Sequence, residues 1–170
     1  MSVTGSVFSS LPILLRSRKL HVLPIEGDGN CFYRALSVAI YKDSSKHALL
    51  RKSLCTYISE HRDIYLPLFE SPKYFQRCLA ANKRLNVWNS AFADILPHAV
   101  ANYLQITLEV YAAEDEESTV HKYVFTGDQG TPRSAWDLGI AGCEQLARGF
   151  ATEKVRLLYT NGNHYDLLLH

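Results

Sequence analysis

The chain has 170 residues, 47% of them hydrophobic, and a formal net charge of +1. This length allows one domain with a hydrophobic core and is too short for two. The sequence has no long run of Lys or Arg, the charge pattern that dominates nucleic-acid binding. We expect a monomer with one domain at residues 20–170, preceded by an extension at 1–19 that packs on it, and no nucleic-acid or membrane partner.

The extension carries one short apolar segment at residues 11–15. This segment is too short to cross a membrane, and basic residues at 16–19 follow it where a signal peptide would have a small-residue cleavage site. It therefore predicts a short packing helix. Residues 20–25 predict an extended lead-in to the next motif, because Pro24 is tolerated at the edge or the end of a strand.

Residues 27–31, Gly-Asp-Gly-Asn-Cys, lead directly into a helical apolar stripe. The stripe consists of Phe32, Ala35, Leu36, Ala39 and Ile40. The glycines let this loop approach a ligand closely, and Asn30 can cap the helix by accepting a bond from a free amide. Because free N–H groups and the helix dipole favour a thiolate, we expect Cys31 to be an ionised nucleophile at the exposed tip of the helix.

Three further helices follow along the chain. Ser44 or Ser45 can cap the first of them, and Ser71 caps the second, with Pro72 at its first helical position. The third is predicted from a stripe of apolar residues at 92–103, and its internal proline should kink or split it.

Strands are predicted in the second half of the chain, where the apolar period becomes alternating. The alternation at residues 106–111 predicts a half-buried strand, which an acidic turn at 114–117 connects to a second strand at 120–125. Residues 155–159 are expected to pair with the terminal strand through the Asn-Gly pair at 161–162. Helices first and strands late predict an α+β fold, with helices flanking a small mixed or antiparallel sheet.

A candidate general base lies at the start of the terminal strand. His164 follows the Asn-Gly turn closely, and Asp166 lies two residues further on, which puts both side chains on the same face of the strand. A carboxylate in that position can orient the imidazole and stabilise the imidazolium formed during attack. The sequence thus contains the nucleophile, base and orienting carboxylate of a thiol hydrolase.

The other three cysteines have no predicted role. Cys55, Cys78 and Cys143 are expected to fill the core, since cysteine is among the most buried residue types. The four cysteines form no C-x-x-C pair and the seven histidines are scattered, so we expect no metal and no cofactor. Widely spaced cysteines fit a reducing cytoplasmic location. Residues 143–148 are compatible with one short helix.

Three motifs together resemble the ovarian-tumour (OTU) family of cysteine proteases. They are Asp-Gly-Asn-Cys-Phe-Tyr-Arg-Ala at 28–35, Trp-Asn-Ser at 88–90 and His-Tyr-Asp at 164–166. The resemblance extends from about residue 20 to the last residue and implies a papain-like α+β fold. The catalytic residues that it implies are Cys31, His164 and Asp166.

The resemblance also implies roles for the neighbouring residues. The backbone amides of Asp28 and Cys31 would form the oxyanion hole, within an active-site loop that includes Gly29 and Asn30. The residues implied to line a narrow channel for the substrate tail are Trp88, Asn89 and Tyr165. Asn89 departs from the family pattern, because members often have glycine after the tryptophan.

The function implied by the resemblance is deubiquitination, the hydrolysis of the isopeptide bond after the C-terminal glycine of ubiquitin. Ubiquitin or polyubiquitin is the expected partner, with ubiquitin-like modifiers as further candidates, and a viral or bacterial member would act in the host cytosol. Two alternatives stay open. The chain could be a catalytically silent ubiquitin-binding module, or a Cys-His-Asp protease or acyltransferase for a different substrate.

Overall fold

A computed structural model of the chain describes residues 3–127 and 154–170. Within them the helices are α1 (Leu11–Arg18), α2 (Cys31–Tyr41), α3 (His47–Glu60), α4 (Arg62–Tyr65), α5 (Pro72–Asn82) and α6 (Leu96–Leu104). The strands are β1 (Val3–Phe8), β2 (His21–Leu23), β3 (Thr107–Ala113), β4 (Val120–Thr126), β5 (Lys154–Thr160) and β6 (His164–Leu169). In this part of the chain, no helix combines the length and the apolar character needed to span a bilayer.

The strands form one mixed sheet in the order β1-β4-β3-β5-β6-β2. β3 and β5 run parallel, and each other neighbouring pair is antiparallel. The predicted α+β class and mixed sheet are therefore confirmed. The sequence pattern does not predict β1, because Gly5 and Ser6 interrupt its apolar alternation; the strand forms by pairing along the whole of β4.

Helices cover both faces of the sheet, and this corrects one prediction. α2, α3, α5 and α6 pack on one face and form the larger core, while α1 contributes to a smaller core on the other face. β3 is consequently buried on both faces and is not half-buried, since Glu109 is 5% and Tyr111 1% exposed. The buried Glu109 carboxylate is stabilised by Lys122 at 2.9 Å and Arg156 at 3.0 Å.

Side-chain caps define two of the helix starts. Ser71 accepts a hydrogen bond from the Tyr74 amide and Pro72 is the first residue of α5, as predicted. The 3-10 turn that precedes α3 is capped differently from the prediction. Asp43 accepts from the amide of Ser45, so neither of the predicted serines is the cap.

The predicted helix at residues 92–103 is split, as its internal proline requires. A separate 3-10 turn at Ser90–Phe92 precedes α6, and Pro97 lies in the first turn of α6, where its missing N–H costs no helical bond. The predicted short helix at 143–148, with Cys143, lies outside the described residues.

β6 brings the two predicted halves of the site together. It pairs with β5 on one side and with β2 on the other, and α2 packs against it. β2 leads into the loop at 24–30, which ends where α2 begins. The start of α2 therefore lies beside the start of β6.

Candidate active site

Cys31 is the first residue of α2, as predicted, but it is buried and not exposed. The residue is 2% exposed. Burial raises the pKa of the Cys31 thiol, and this effect outweighs the backbone amides of Tyr165 and Phe32, which lower the pKa. The thiol donates to the carbonyl oxygen of Asn163 at 3.9 Å. The predicted exposure of Cys31 is wrong, because the β5-β6 hairpin lies against the sulfur.

Asn30 occupies the cap position of α2 without capping it, which corrects a second prediction. Its side chain makes no bond to a helix amide. Its Oδ1 instead accepts from the Asn86 amide at 2.9 Å, and its Nδ2 donates to Asn86 Oδ1 at 2.6 Å. Asn30 is 1% exposed, so this buried side chain joins the active-site loop to the 83–89 loop rather than stabilising the helix end.

Asp28 is the carboxylate of the active-site loop, and it is paired with Arg34. Arg34 donates to its Oδ2 from Nε at 3.0 Å and from Nη2 at 2.6 Å. The Arg34 bonds, aided by bonds from the Asn30 side chain and amide, hold the pKa of the Asp28 carboxyl well below its usual range. The carboxylate thus remains ionised and fixes the loop to the first turns of α2.

His164 and Asp166 form the pair that their spacing predicts. Asn161 and Gly162 both adopt positive φ, at 54° and 68°, and reverse the chain between β5 and β6. His164 then lies 3.0 Å from Asp166, measured from Nε2 to Oδ1. Asp166 Oδ1 also accepts from the Ile25 amide at 2.7 Å, which fixes the carboxylate between β6 and the end of β2.

The second imidazole nitrogen of His164 faces the active-site loop. A Cβ added at Gly27 would lie 3.5 Å from Nδ1, so the ring packs directly on this glycine. Because the carboxylate of Asp166 can only accept, the neutral ring donates its Nε2–H to it, and Nδ1 then carries the free lone pair. The imidazole is therefore oriented as a base toward the loop that ends at Cys31.

The amides of the active-site loop are not equivalent. The Asn30 N–H is already bonded to Asp28 Oδ1 at 3.0 Å, so it is occupied within the loop. The Cys31 amide lies close to its own sulfur and, as the first N–H of α2, has no partner inside the helix. This amide is open to an acceptor next to the thiol, where the predicted oxyanion donors Asp28 and Cys31 would act.

The three predicted channel residues occupy different environments. The Tyr165 ring is 1% exposed and lies in the core, with its centroid 5.0 Å from Phe32 and 5.5 Å from Trp88. Trp88 is half-buried on this aromatic cluster. Asn89 accepts from the Ala91 amide and donates to a backbone carbonyl, so it organises the turn before α6. A channel-lining role for these residues stays a prediction.

Arg51, which has no predicted role, binds the active-site loop. It is 1% exposed and donates to the Gly29 carbonyl at 2.7 Å and to Asn30 Oδ1 at 3.0 Å. A signal was present, because Cys55 and Ile58 follow Arg51 at helical spacing and place it on the buried face of α3. A lone arginine on an apolar helix face indicates a buried polar network.

Sequence comparison places the chain in a family. A family model described as OTU-like cysteine protease matches residues 26–136, more than half of the chain. The chain belongs to this family, a class of thiol-dependent proteases.

Two curated relatives show how the similarity is distributed. OTU domain-containing protein 1 of Mus musculus is 44% identical over 52 residues, which cover 31% of this chain and 11% of the relative. OVARIAN TUMOR DOMAIN-containing deubiquitinating enzyme 6 of Arabidopsis thaliana is 24% identical over 142 residues, 84% of this chain and 23% of the relative. The chain thus spans less than a quarter of the length of either relative.

Solved structures share the fold over nearly the whole chain. The OTU domain of OTUD1 has a TM-score of 0.66 at 23% identity and covers 93% of this chain and 91% of its own. The Hazara virus OTU domain, solved bound to ubiquitin, has a TM-score of 0.60 at 17% identity. The match covers 99% of this chain and 88% of the Hazara virus chain. These similarities establish the predicted OTU fold.

Proposed function

We propose that this chain is a deubiquitinase that hydrolyses the isopeptide bond after the C-terminal glycine of ubiquitin. Cys31 is the nucleophile, His164 the general base and Asp166 the third member of the triad. The observation that carries the proposal is the convergence of two distant segments. The Cys31 thiol contacts the backbone on both sides of His164, whose ring is held by Asp166 at 3.0 Å.

The reaction proceeds through a thioester. The Cys31 sulfur forms a bond to the glycine carbonyl carbon while its proton passes to Nδ1 of His164, and the amides of Asp28 and Cys31 stabilise the oxyanion. The C–N bond then breaks, and the imidazolium gives the same proton to the departing lysine amine. Water, losing a proton to His164, attacks the thioester and releases the ubiquitin carboxylate, after which the proton returns to the sulfur.

A neutral resting thiol is compatible with this sequence of steps. Burial raises the pKa of Cys31, which favours removal of its proton by His164 during attack. Asp166 supports that transfer, because its carboxylate stabilises the imidazolium that forms. The oriented imidazole thus performs the activation that the helix end alone does not supply.

Ubiquitin as the substrate is supported by names within the family. The Arabidopsis relative is named a deubiquitinating enzyme, and the Hazara virus domain binds ubiquitin in its solved structure. Trp88 supports a channel for the ubiquitin tail, because its indole N–H is buried without a hydrogen-bond partner among the described residues and could donate to a peptide carbonyl. Contacts with the globular part of ubiquitin would align the scissile bond.

Cleavage of a fluorogenic ubiquitin C-terminal amide tests the proposal. The unmodified chain should release the fluorophore, and Cys31→Ala should reduce kcat by about 10³-fold or more, because the nucleophile is lost. Cys78→Ala is the matched control, because Cys78 is another free cysteine that packs in the core. Asn89 donates to the backbone carbonyl of Cys78, and the substitution keeps that carbonyl. Equal activity of Cys31→Ala and the unmodified chain would refute the assignment.

An electrophilic ubiquitin probe separates the alternative functions. Covalent labelling that requires Cys31 supports the proposal. Saturable ubiquitin binding without labelling or turnover would instead identify a silent binding module. Failure to bind ubiquitin, together with cleavage of another peptide or transfer of an acyl group, would assign the triad to a different substrate.

A further inference from the structure

Arg51 carries a buried charge without an acidic partner. It lies on α3 and is 1% exposed. Across residues 3–127 and 154–170, no carboxylate lies within ion-pair distance of its guanidinium. A buried cation is costly unless hydrogen bonds compensate its lost hydration. The groups that compensate it therefore indicate what the residue holds in place.

The guanidinium of Arg51 bonds to three backbone carbonyls and one side-chain amide. Nη1 donates to the carbonyls of Asn82 at 2.8 Å and Val87 at 3.0 Å. Nη2 donates to the carbonyl of Gly29 at 2.7 Å and to Asn30 Oδ1 at 3.0 Å. Nη1 thus binds the last residue of α5 and the 83–89 loop that follows it, while Nη2 binds the active-site loop. The planar fork fixes the distance between the two loops.

The bond to Gly29 fixes the orientation of one peptide plane. In a trans peptide the C=O and N–H point in opposite directions. Arg51 binds the oxygen of the Gly29–Asn30 peptide, and Asp28 Oδ1 accepts from the N–H of the same peptide at 3.0 Å. With both ends bonded, this peptide cannot rotate. The next amide along the chain belongs to Cys31 and is linked to this plane through Asn30, whose φ is −110° and ψ 2° and whose carbonyl oxygen accepts from the Arg34 amide at 2.8 Å.

Close packing reinforces the same arrangement. A Cβ added at Gly29 would lie 2.6 Å from the carbonyl carbon and oxygen of Asn86, so the active-site loop touches the backbone of the 83–89 loop. Asn30 Oδ1 accepts from both Arg51 and the Asn86 amide. The ring of Tyr33, in the first turn of α2, lies 4.3 Å from the guanidinium carbon of Arg51.

We propose that Arg51 is a positioning residue for the oxyanion-binding loop. By holding the Gly29–Asn30 peptide from the protein interior, it aims the Cys31 amide at the position where the oxyanion develops. This inference rests on the proposed acyl-transfer function. Arg51 does not touch the substrate and acts through the loop alone.

Two variants and one matched control test this role in the full chain. Arg51→Lys keeps the charge but cannot bind both loops with one fork, and Arg51→Met removes the donors at similar length. Leu54→Ala is the control, because Leu54 is buried on the same helix and its apolar side chain cannot hydrogen-bond to the loop carbonyls, so its truncation destabilises α3 without removing a donor. Turnover of the fluorogenic ubiquitin amide is measured with the folded fraction determined by urea titration.

The expected result separates positioning from folding. We expect kcat per folded molecule to fall about 10-fold in Arg51→Lys and about 100-fold in Arg51→Met, by analogy with the loss of an oxyanion donor, with little change in KM. Alkylation of Cys31 by iodoacetamide forms no oxyanion, so its rate should remain within about twofold of the unmodified chain. If Arg51→Met fails to fold, Arg51→Lys decides the question.

Some outcomes overturn the inference. An unchanged kcat in Arg51→Lys would do so, as would equal losses of turnover and alkylation, because the second pattern would mean a disturbed thiol and not a misdirected loop. A kcat loss of the same size in Leu54→Ala would assign the effect to stability.

Amide hydrogen exchange distinguishes failure of this inference from failure of the proposed function. The Asn30 amide should exchange at least about tenfold faster in Arg51→Lys than in the unmodified chain or in Leu54→Ala, whatever the substrate is. If the unmodified chain does not cleave the ubiquitin amide but Asn30 exchange responds, the loop-positioning role stands and the proposed function fails. If cleavage is normal and Asn30 exchange is unchanged, the inference about Arg51 fails alone.

Discussion

The two halves of the candidate site are held by different kinds of interaction. The active-site loop at 27–31 is fixed by a buried polar network in which the Gly29 carbonyl and the Asn30 side chain both have charged or amide partners. The hairpin that carries His164 is exposed at residues 161–163 and rests on the stacked rings of Tyr159 and Tyr165, 4.4 Å apart. The Cys31 side is therefore held by directional hydrogen bonds, and the His164 side by a turn on an aromatic surface.

This difference has a chemical reason. An oxyanion hole needs donors held to within fractions of an ångström, and peptide planes are held that tightly only when both ends are bonded. A general base needs a correct tautomer and a ring orientation, and for His164 one carboxylate supplies both. We therefore expect the hairpin turn at 161–163, before His164, to tolerate change better than the active-site loop does.

The largest expected effect is at the carboxylate that orients the base. Asp166→Ala should lower kcat for the fluorogenic ubiquitin amide about 10³-fold, because the imidazole loses its fixed tautomer and its counter-charge, and the Ile25 amide loses its acceptor. Asp166→Asn should lose less, since its amide oxygen can still accept both bonds. Equal rates for Asp166→Ala and the unmodified chain would remove Asp166 from the triad.

The next largest effect tests the rigidity of the active-site loop. Gly29 has a φ of 78°, and a Cβ there would overlap the Asn86 carbonyl at 2.6 Å. Left-handed strain and overpacking together should make Gly29→Ala about 3 kcal/mol less stable toward urea unfolding. We also expect lower turnover per folded molecule, because the loop must move. A loss below about 1 kcal/mol would mean that the loop is not tightly packed.

Local patterns in the sequence predicted where Cys31, His164 and Asp166 lie in the fold but not what surrounds them. The glycine-rich loop before an apolar stripe identified Cys31, and strand alternation placed Asp166 on the same face as His164. Local patterns could not predict that the Asn30 side chain bonds to Asn86 instead of capping α2, nor that Arg51 binds the active-site loop. The carbonyls that accept from Arg51 belong to residues 22 to 36 positions away, so no local period records them.

Burial by distant segments explains the other corrections. Helix-end electrostatics predicted an exposed thiolate at Cys31, but the residue that accepts from the thiol lies 132 positions further on, and burial raises the thiol pKa. In the same way, the alternation in β3 predicted one exposed face, which α1 from the extension covers. A one-dimensional pattern identifies which face is apolar and does not show what packs on the polar one.

The pH dependence of Cys31 alkylation sharpens the comparison between the two halves. A raised thiol pKa means a smaller thiolate fraction at any lower pH, so the iodoacetamide rate in the free protein should keep rising beyond about pH 8.5, the ordinary cysteine value. The measurement is the second-order rate of Cys31 modification by mass spectrometry from pH 6 to 10. A plateau already reached at neutral pH would instead show a preformed thiolate–imidazolium pair.

The smallest expected effect is on the hairpin side, at the other glycine with positive φ. Gly162 has a φ of 68°, but a Cβ there would meet no atom within 4 Å. Gly162→Ala should therefore cost only the left-handed strain of about 1–2 kcal/mol, with kcat per folded molecule unchanged because His164 keeps its bond to Asp166. Urea unfolding and turnover are measured for Gly162→Ala and Gly29→Ala together. The two glycines share a positive φ and differ in packing. If Gly162→Ala lost turnover as severely as Gly29→Ala, the hairpin would be as tightly constrained as the loop, and the contrast between the two halves would be wrong.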